Sequence, residues 1–248
     1  MVITSIDNSK LKSVRALREK KYRDEYGKFV IEGYRVVKDS LPYLTNTELI
    51  TSESAYDKYY DEFAGQNFIV VSDAAFSKLC DTENSQGIIC VADKKICVPD
   101  YKSRFALFLD RIRDPGNMGT IIRTALATGF TDVYCYDCVD FYNPKVVRSA
   151  MSALSRINIF KTDESSPLLL KKHGYTIFSA DMGGSSVFDG VNSFEKACMC
   201  IGNEANGLSN DVITASDEVL CLPMLSGESL NAGVSASVMM YQLAFGNK

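Results

Sequence analysis

Short apolar runs alternate with stretches of helical periodicity along the whole chain. In the first part, residues 9–21 and 34–41 read as helices, and residues 29–32, 48–51, 68–71 and 87–92 read as strands. A mixed, charged segment at 93–102, interrupted by Pro99, reads as a linker. The expected division is therefore a domain over 1–93, a linker over 94–104 and a domain over 105–248. The apolar run FALFL (105–109) is the kind of strand found where both faces of a parallel sheet are covered. A turn, DPGNMG (114–119), leads to a helix over 120–128 that Gly129 ends as a C-cap. A strand over 133–136 follows. Asn143 and Pro144 then open a helix, with a capping side chain and proline at the first helical position. Strands at 176–180, 198–201 and 218–222 lead to a long helix over 230–245. This alternation predicts an α/β fold with a parallel sheet.

Composition narrows the function. With 248 residues, 46% of them hydrophobic, the chain can bury one large core or two small ones. It holds no apolar run of 18 residues and no apolar signal core at its polar N-terminus, so we expect a soluble, cytoplasmic protein without membrane partners. Of the eight cysteines, Cys90, Cys198, Cys200 and Cys221 sit in apolar runs, as buried small hydrophobes do. Cys135 and Cys138 form a CxxC, yet no second pair stands at zinc-site spacing. His173 is the only histidine, which leaves little material for a histidine metal site or a Ser-His-Asp triad. No metal is expected.

The net charge of −4 argues against general affinity for nucleic acid, but the average hides an asymmetry. Residues 1–40 carry ten Lys/Arg against six Asp/Glu, whereas residues 41–100 carry four against ten. The basic beginning can meet phosphates or simply be a solvated helix face. Arg15, Arg18, Lys21, Arg23 and Arg35 are the candidate phosphate contacts.

Parallel sheets place ligand sites at the carboxyl ends of their strands, and three such ends are rich in glycine and polar residues. In the first, Gly116 and Gly119 allow a close turn, and Arg123 follows about one helical turn beyond. It matches neither a dinucleotide fingerprint nor a P-loop. In the second, Glu204 lies between Gly202 and Gly207 and needs a partner, for which Arg123 is a candidate. The third groups Ser226, Ser229 and Asn231 ahead of an apolar helix. Ser229 is a candidate cap, and Asn231 is expected inside the first turn.

Read together as NMGTIIRTA (117–125), GNEANGL (202–208) and PMLSGESLN (223–231), these loops resemble the motifs of the SpoU branch of the SPOUT methyltransferases. FVIEGYR (29–35) similarly resembles a stretch of that family's ribosomal-protein-like substrate-binding domain. The resemblance implies a C-terminal α/β domain tied in a deep trefoil knot over about 202–231, beside a smaller N-terminal α/β domain. It implies S-adenosyl-L-methionine as cofactor, held near Gly202, Leu222 and Leu230. It also implies a homodimer, with Val238, Met239 and Met240 suited to its interface, and an RNA ribose 2′-hydroxyl as acceptor. Arg123, Asn117, Glu204, Ser229 and Asn231 would be the catalytic set. Arginine rarely yields a proton, so Arg123 is expected to hold a phosphate and stabilise developing alkoxide, with Glu204 fixing its guanidinium. The two-domain layout resembles ribosomal-RNA enzymes more than transfer-RNA enzymes. A transfer-RNA acceptor and a non-catalytic RNA-binding relative stay open as alternatives.

Overall fold

The computed structural model describes residues 2–82, 85–226 and 229–246. The chain divides into two compact units, Met1–Lys95 with Tyr142–Ser155, and Ile96–Phe141 with Arg156–Lys248. The boundary at Lys95/Ile96 falls inside the segment expected as linker. Tyr142–Ser155, expected in the second domain, clusters instead with the first unit. There the Tyr142 ring packs 4.6 Å from that of Phe29, and Arg148 reaches Asp81 at 3.5 Å.

The first unit runs β1 (Val2–Ile3), α1 (Ser9–Ala16), α2 (Lys20–Tyr26), β2 (Lys28–Glu32), α3 (Tyr34–Ser40), β3 (Glu48–Ser52), α4 (Tyr56–Tyr60), β4 (Phe68–Val71), α5 (Asp73–Ser77) and β5 (Ile88–Asp93). Its sheet has the order β1-β4-β3-β5-β2. The strands β1, β4 and β3 are parallel, while β5 runs antiparallel to both neighbours. The helix expected over 9–21 is two helices. Arg23, only 2% exposed, donates to the carbonyls of Leu17 at 2.8 Å and Arg18 at 2.6 Å. These carbonyls just beyond α1 are satisfied by a side chain instead of by a continuing helix. Leu11, Val14 and Leu17 pack with Ile50, Val71 and Phe76 in the core.

The rest of the chain continues with β6 (Phe105–Asp110), α6 (Pro115–Thr128), β7 (Asp132–Tyr136), α7 (Pro144–Ala150), α8 (Ala153–Arg156), β8 (Asn158–Thr162), α9 (Ser166–Lys172), β9 (Tyr175–Ser186), β10 (Lys196–Ile201), α10 (Asn210–Ala215), β11 (Glu218–Cys221) and α11 (Ala232–Tyr241), of which α7 and most of α8 belong to the first unit and the others to the second. The strands form one parallel sheet in the order β11-β9-β10-β6-β7-β8. All six residues of β6 are buried, as a strand covered on both faces requires. The chain starts in the middle of the sheet, builds outward through β7 and β8, then crosses to build β9, β10 and β11 on the other side. That reversal beside β6 is the topological switch point at which such sheets bind ligands.

Among the described residues, no helix is long and apolar enough to cross a membrane. Five cysteines are buried (Cys80, Cys90, Cys135, Cys198 and Cys200), and burial pushes the thiol of Cys90 up to about 12. Cys221, expected in the core, is only half-buried.

Candidate active site

The site begins where β6 ends. Asp110 is fully buried, and its carboxylate accepts from Arg111 Nε at 2.6 Å, Arg111 Nη2 at 3.0 Å and the Ser209 amide at 2.7 Å. A buried carboxylate persists only with such partners. Arg111 adopts a φ of 58°, unusual for a side-chain-bearing residue, and its carbonyl accepts from Asn203 Nδ2 at 2.9 Å. The end of β6 thereby grips the loop after β10. Sequence reading missed both Asp110 and Asn203. A carboxylate closing the apolar run 105–110 was the available signal for the first.

Helix α6 starts at Pro115, five residues earlier than expected. Asp114 caps it by accepting from the Asn117 amide at 2.7 Å, and Pro115 takes the first helical position. Asn117 therefore sits in the first turn, 8% exposed, with its side chain turned to the other two loops. Its Nδ2 donates to Glu204 Oε1 at 2.9 Å, and its Oδ1 accepts from Asn231 Nδ2 at 2.8 Å. One amide thus joins the first, second and third loops. Asn231 is also the cap of α11, accepting from the Val234 amide at 3.2 Å. It is not inside the helix, and the capping role expected of Ser229 belongs to Asn231.

The pairing expected between Arg123 and Glu204 is not present. Arg123 lies six residues beyond Asn117, about 240° around the helix axis, so the two project from different faces. Arg123 is exposed and makes no hydrogen bond or ion pair with another described residue. Glu204 is held by Asn117 instead.

The loop after β10 is stitched to itself. Asn203 and Gly207 exchange two backbone hydrogen bonds, and Asn203 Oδ1 accepts from the amides of Ala205 and Asn206. A Cβ at Gly202 would lie 2.2 Å from the Gly207 carbonyl carbon, so only glycine fits there. Beside this loop a cavity of about 400 Å³ opens at the carboxyl ends of β9, β10 and β11. Gly202, Leu222 and Leu230, the three expected cofactor contacts, all line it, together with Glu204 and Ser229. Gly227 and Glu228 of the third loop lie outside the described residues. Size and lining fit an adenosyl cofactor: small-molecule sites start at about 300 Å³ and combine apolar walls with a few polar groups. Ile201, Leu222, Met224 and Met239 supply the walls here, and Asp181, Glu204 and Ser229 the polar groups.

The basic candidates of the first unit divide. Arg15, Lys21 and Arg35 are exposed. Arg18 is partly committed, 2.8 Å from Asp81 through Nε and donating to the Cys80 carbonyl at 2.6 Å. Arg23 is a correction, because its buried guanidinium is spent on backbone carbonyls and is not offered to a phosphate.

A parallel α/β sheet with a cavity walled by two of its three glycine-containing loops, at the carboxyl ends of neighbouring strands, is a small-molecule-binding domain of enzyme type. Residues 104–241 match the SpoU rRNA Methylase family, and residues 8–90 match the MRM3-like substrate binding domain. The chain belongs to the SpoU rRNA methylase family. It is 30% identical over 249 residues to the 23S rRNA (guanosine(2553)-2'-O)-methyltransferase RlmP of Bacillus subtilis, an alignment that covers 97% of this chain and 98% of that protein. A solved RNA 2'-O ribose methyltransferase is similar with a TM-score of 0.80 at 26% identity, over 98% of this chain and 97% of that one. The AdoMet-bound rRNA methyltransferase from Sinorhizobium meliloti, at 23% identity and a TM-score of 0.88, shares the fold over 100% of this chain and 98% of its own.

Proposed function

We propose that this chain is an S-adenosyl-L-methionine-dependent methyltransferase acting on a ribose 2′-hydroxyl of RNA, with ribosomal RNA as the substrate. The observation that carries the reading is the hydrogen-bonded bridge from Glu204, on the cavity wall, through Asn117 to Asn231, which ties the first loop to the two loops that line the cavity. When bound, the cofactor supplies an activated methyl group on a sulfonium. The chain supplies position and charge. Gly202, Leu222 and Leu230 would hold the cofactor against the cavity wall. Arg123, with no partner among the described residues, is available to the RNA. Its guanidinium would hold the phosphate beside the target ribose and stabilise the developing alkoxide, while a phosphate oxygen or water accepts the proton. Asn117, Ser229 and Asn231 would orient the ribose. Residues 1–93 would bind folded RNA through Arg15, Lys21 and Arg35, and residues 105–248 would carry the transfer.

Three further parts of this reading rest on family likeness: a trefoil knot over about 202–231, a cytoplasmic location and a homodimer. Met239 and Met240 are buried within their own chain, so the interface cannot use them. Val234, Tyr241 and Phe245 are exposed at helical spacing along the same segment and supply an apolar stripe for a second copy.

The test is transfer of labelled methyl from S-adenosyl-L-methionine to total RNA from a strain lacking the gene. Label in large ribosomal RNA is expected. Label in transfer RNA would move the substrate, and no label with intact cofactor binding would contradict catalysis on free RNA.

A further inference from the structure

Strand β9 pairs with β11 in two pieces that do not join. Val219 lies opposite Ser179, but the next residue, Leu220, lies opposite Ser185. Residues 180–184 therefore leave the ladder as a bulge. Bulges beside active sites re-aim side chains that a regular strand would point elsewhere. Gly184 lets this one close, because a Cβ there would lie 2.5 Å from the carbonyl carbon and oxygen of Val219. The excursion carries Ala180, Asp181 and Met182 onto the wall of the cavity that Gly202, Leu222 and Leu230 line.

Asp181 is the residue this arrangement presents. Its Oδ1 accepts from the Gly183 amide at 2.9 Å, which fixes the side chain within the bulge. It bonds no other described residue, so Oδ2 is available. Among the described lining residues the charged side chains are Asp181 and Glu204, and Asn117 already engages Glu204. No lysine or arginine lines the cavity among those residues. A fixed carboxylate in such a site favours a ligand that brings hydrogen-bond donors, above all a cationic one.

We propose that Asp181 is a cofactor-binding residue whose carboxylate accepts hydrogen bonds from the bound adenosyl cofactor, at its ribose diol or at its α-ammonium group. This rests on the reading of the cavity as the cofactor site. Both donors call for the same acceptor, and affinity measurements separate them.

The experiment is calorimetric titration of the wild-type chain, Asp181→Asn and Asp181→Glu. The ligands are S-adenosylmethionine, S-adenosylhomocysteine and 5′-methylthioadenosine, which has the diol but no amino-acid tail. Asparagine keeps the acceptor for the Gly183 amide, so the bulge is preserved while the charge is lost. Loss of a hydrogen bond to a charged group predicts binding of S-adenosylmethionine to Asp181→Asn weaker by roughly ten- to a hundredfold, with partial recovery in Asp181→Glu. Equal loss for all three ligands assigns the diol, and loss confined to the two ligands with an amino-acid tail assigns the ammonium. Unchanged affinity for all three in a folded Asp181→Asn chain overturns the proposal. Failure of the wild-type chain to bind any of them overturns the cavity reading itself and the proposal with it.

Discussion

Asn117 is the group through which the three loops depend on one another, and its replacement by aspartate isolates that role. The change preserves shape, keeps the acceptor for Asn231 and exchanges the donor facing Glu204 for an anion. Loss of a hydrogen bond to a charged group costs about 1.5–3 kcal/mol. Two carboxylates 2.9 Å apart add about 1.4 kcal/mol of repulsion even at the dielectric constant of water. Glu204 is exposed, so solvent takes up part of both effects, leaving a net destabilisation of about 2 kcal/mol. For a chain of this size that is a fall of roughly 4–8 °C in Tm. Differential scanning calorimetry at about pH 7 and about pH 4.5 reads the effect. Acidification protonates the introduced carboxyl, whose anion the facing carboxylate disfavours, and restores a donor, so the deficit of Asn117→Asp against wild type narrows at the lower pH. Asn117→Ala, which has no carboxyl to protonate, shows no such recovery. A Tm within about 1 °C of wild type at pH 7, or a deficit independent of pH, would refute the bridge as the coupling element.

Other consequences follow from single residues. Arg123→Lys leaves Tm within about 1 °C, because Arg123 is exposed and makes no hydrogen bond or ion pair with a described residue, but slows single-turnover methyl transfer by roughly a hundredfold or more; near-normal turnover would remove Arg123 from the reaction. Gly202→Ala drives a methyl group into the Gly207 backbone and distorts the cavity wall, so cofactor affinity measured by calorimetry falls at least about tenfold. Asp217 responds to pH: burial raises its carboxyl, but the Ile177 amide at 2.9 Å and Lys171 at 2.6 Å outweigh that and hold it below the ordinary value. Its folded value is depressed, so its stabilising contribution is present above about pH 4 and is lost as pH falls further. Urea unfolding between about pH 6 and pH 3 should therefore show a shallower acid loss for Asp217→Asn than for wild type, and identical slopes would contradict the assignment.

Local signals carried much of the fold. The apolar run at 105–109, the cap at Asn143 with Pro144, and Gly129 with its φ of 84° are all where sequence reading put them. Errors arose where a distant partner decides. The break after α1 depends on Arg23 returning six residues to the Leu17 carbonyl, which no local periodicity announces. Helix α6 begins at Pro115 because Asp114 caps it, although the glycines at 116 and 119 argue for a turn. Strand β8 and helix α9 are short and went unassigned. In the site, the three loops were recognisable as family motifs, and residues 202, 222 and 230 share one cavity. Which side chain meets Glu204 was not recognisable, because Arg123 and Asn117 are equally available in one dimension and only the helix phase separates them. The bulge at 180–184 comes from a register jump between β9 and β11, and no run of residues encodes that by itself.

Alkaline hydrolysis of the labelled RNA product tests the chemistry most directly. RNA methylated on a ribose 2′-oxygen resists cleavage at the next phosphodiester, because the blocked oxygen cannot attack it. The account predicts that label transferred by the wild-type chain is recovered in an alkali-stable dinucleotide and is lost in Arg123→Lys. Label released in mononucleotides would place the methyl group on a base and contradict the assignment of the ribose as acceptor.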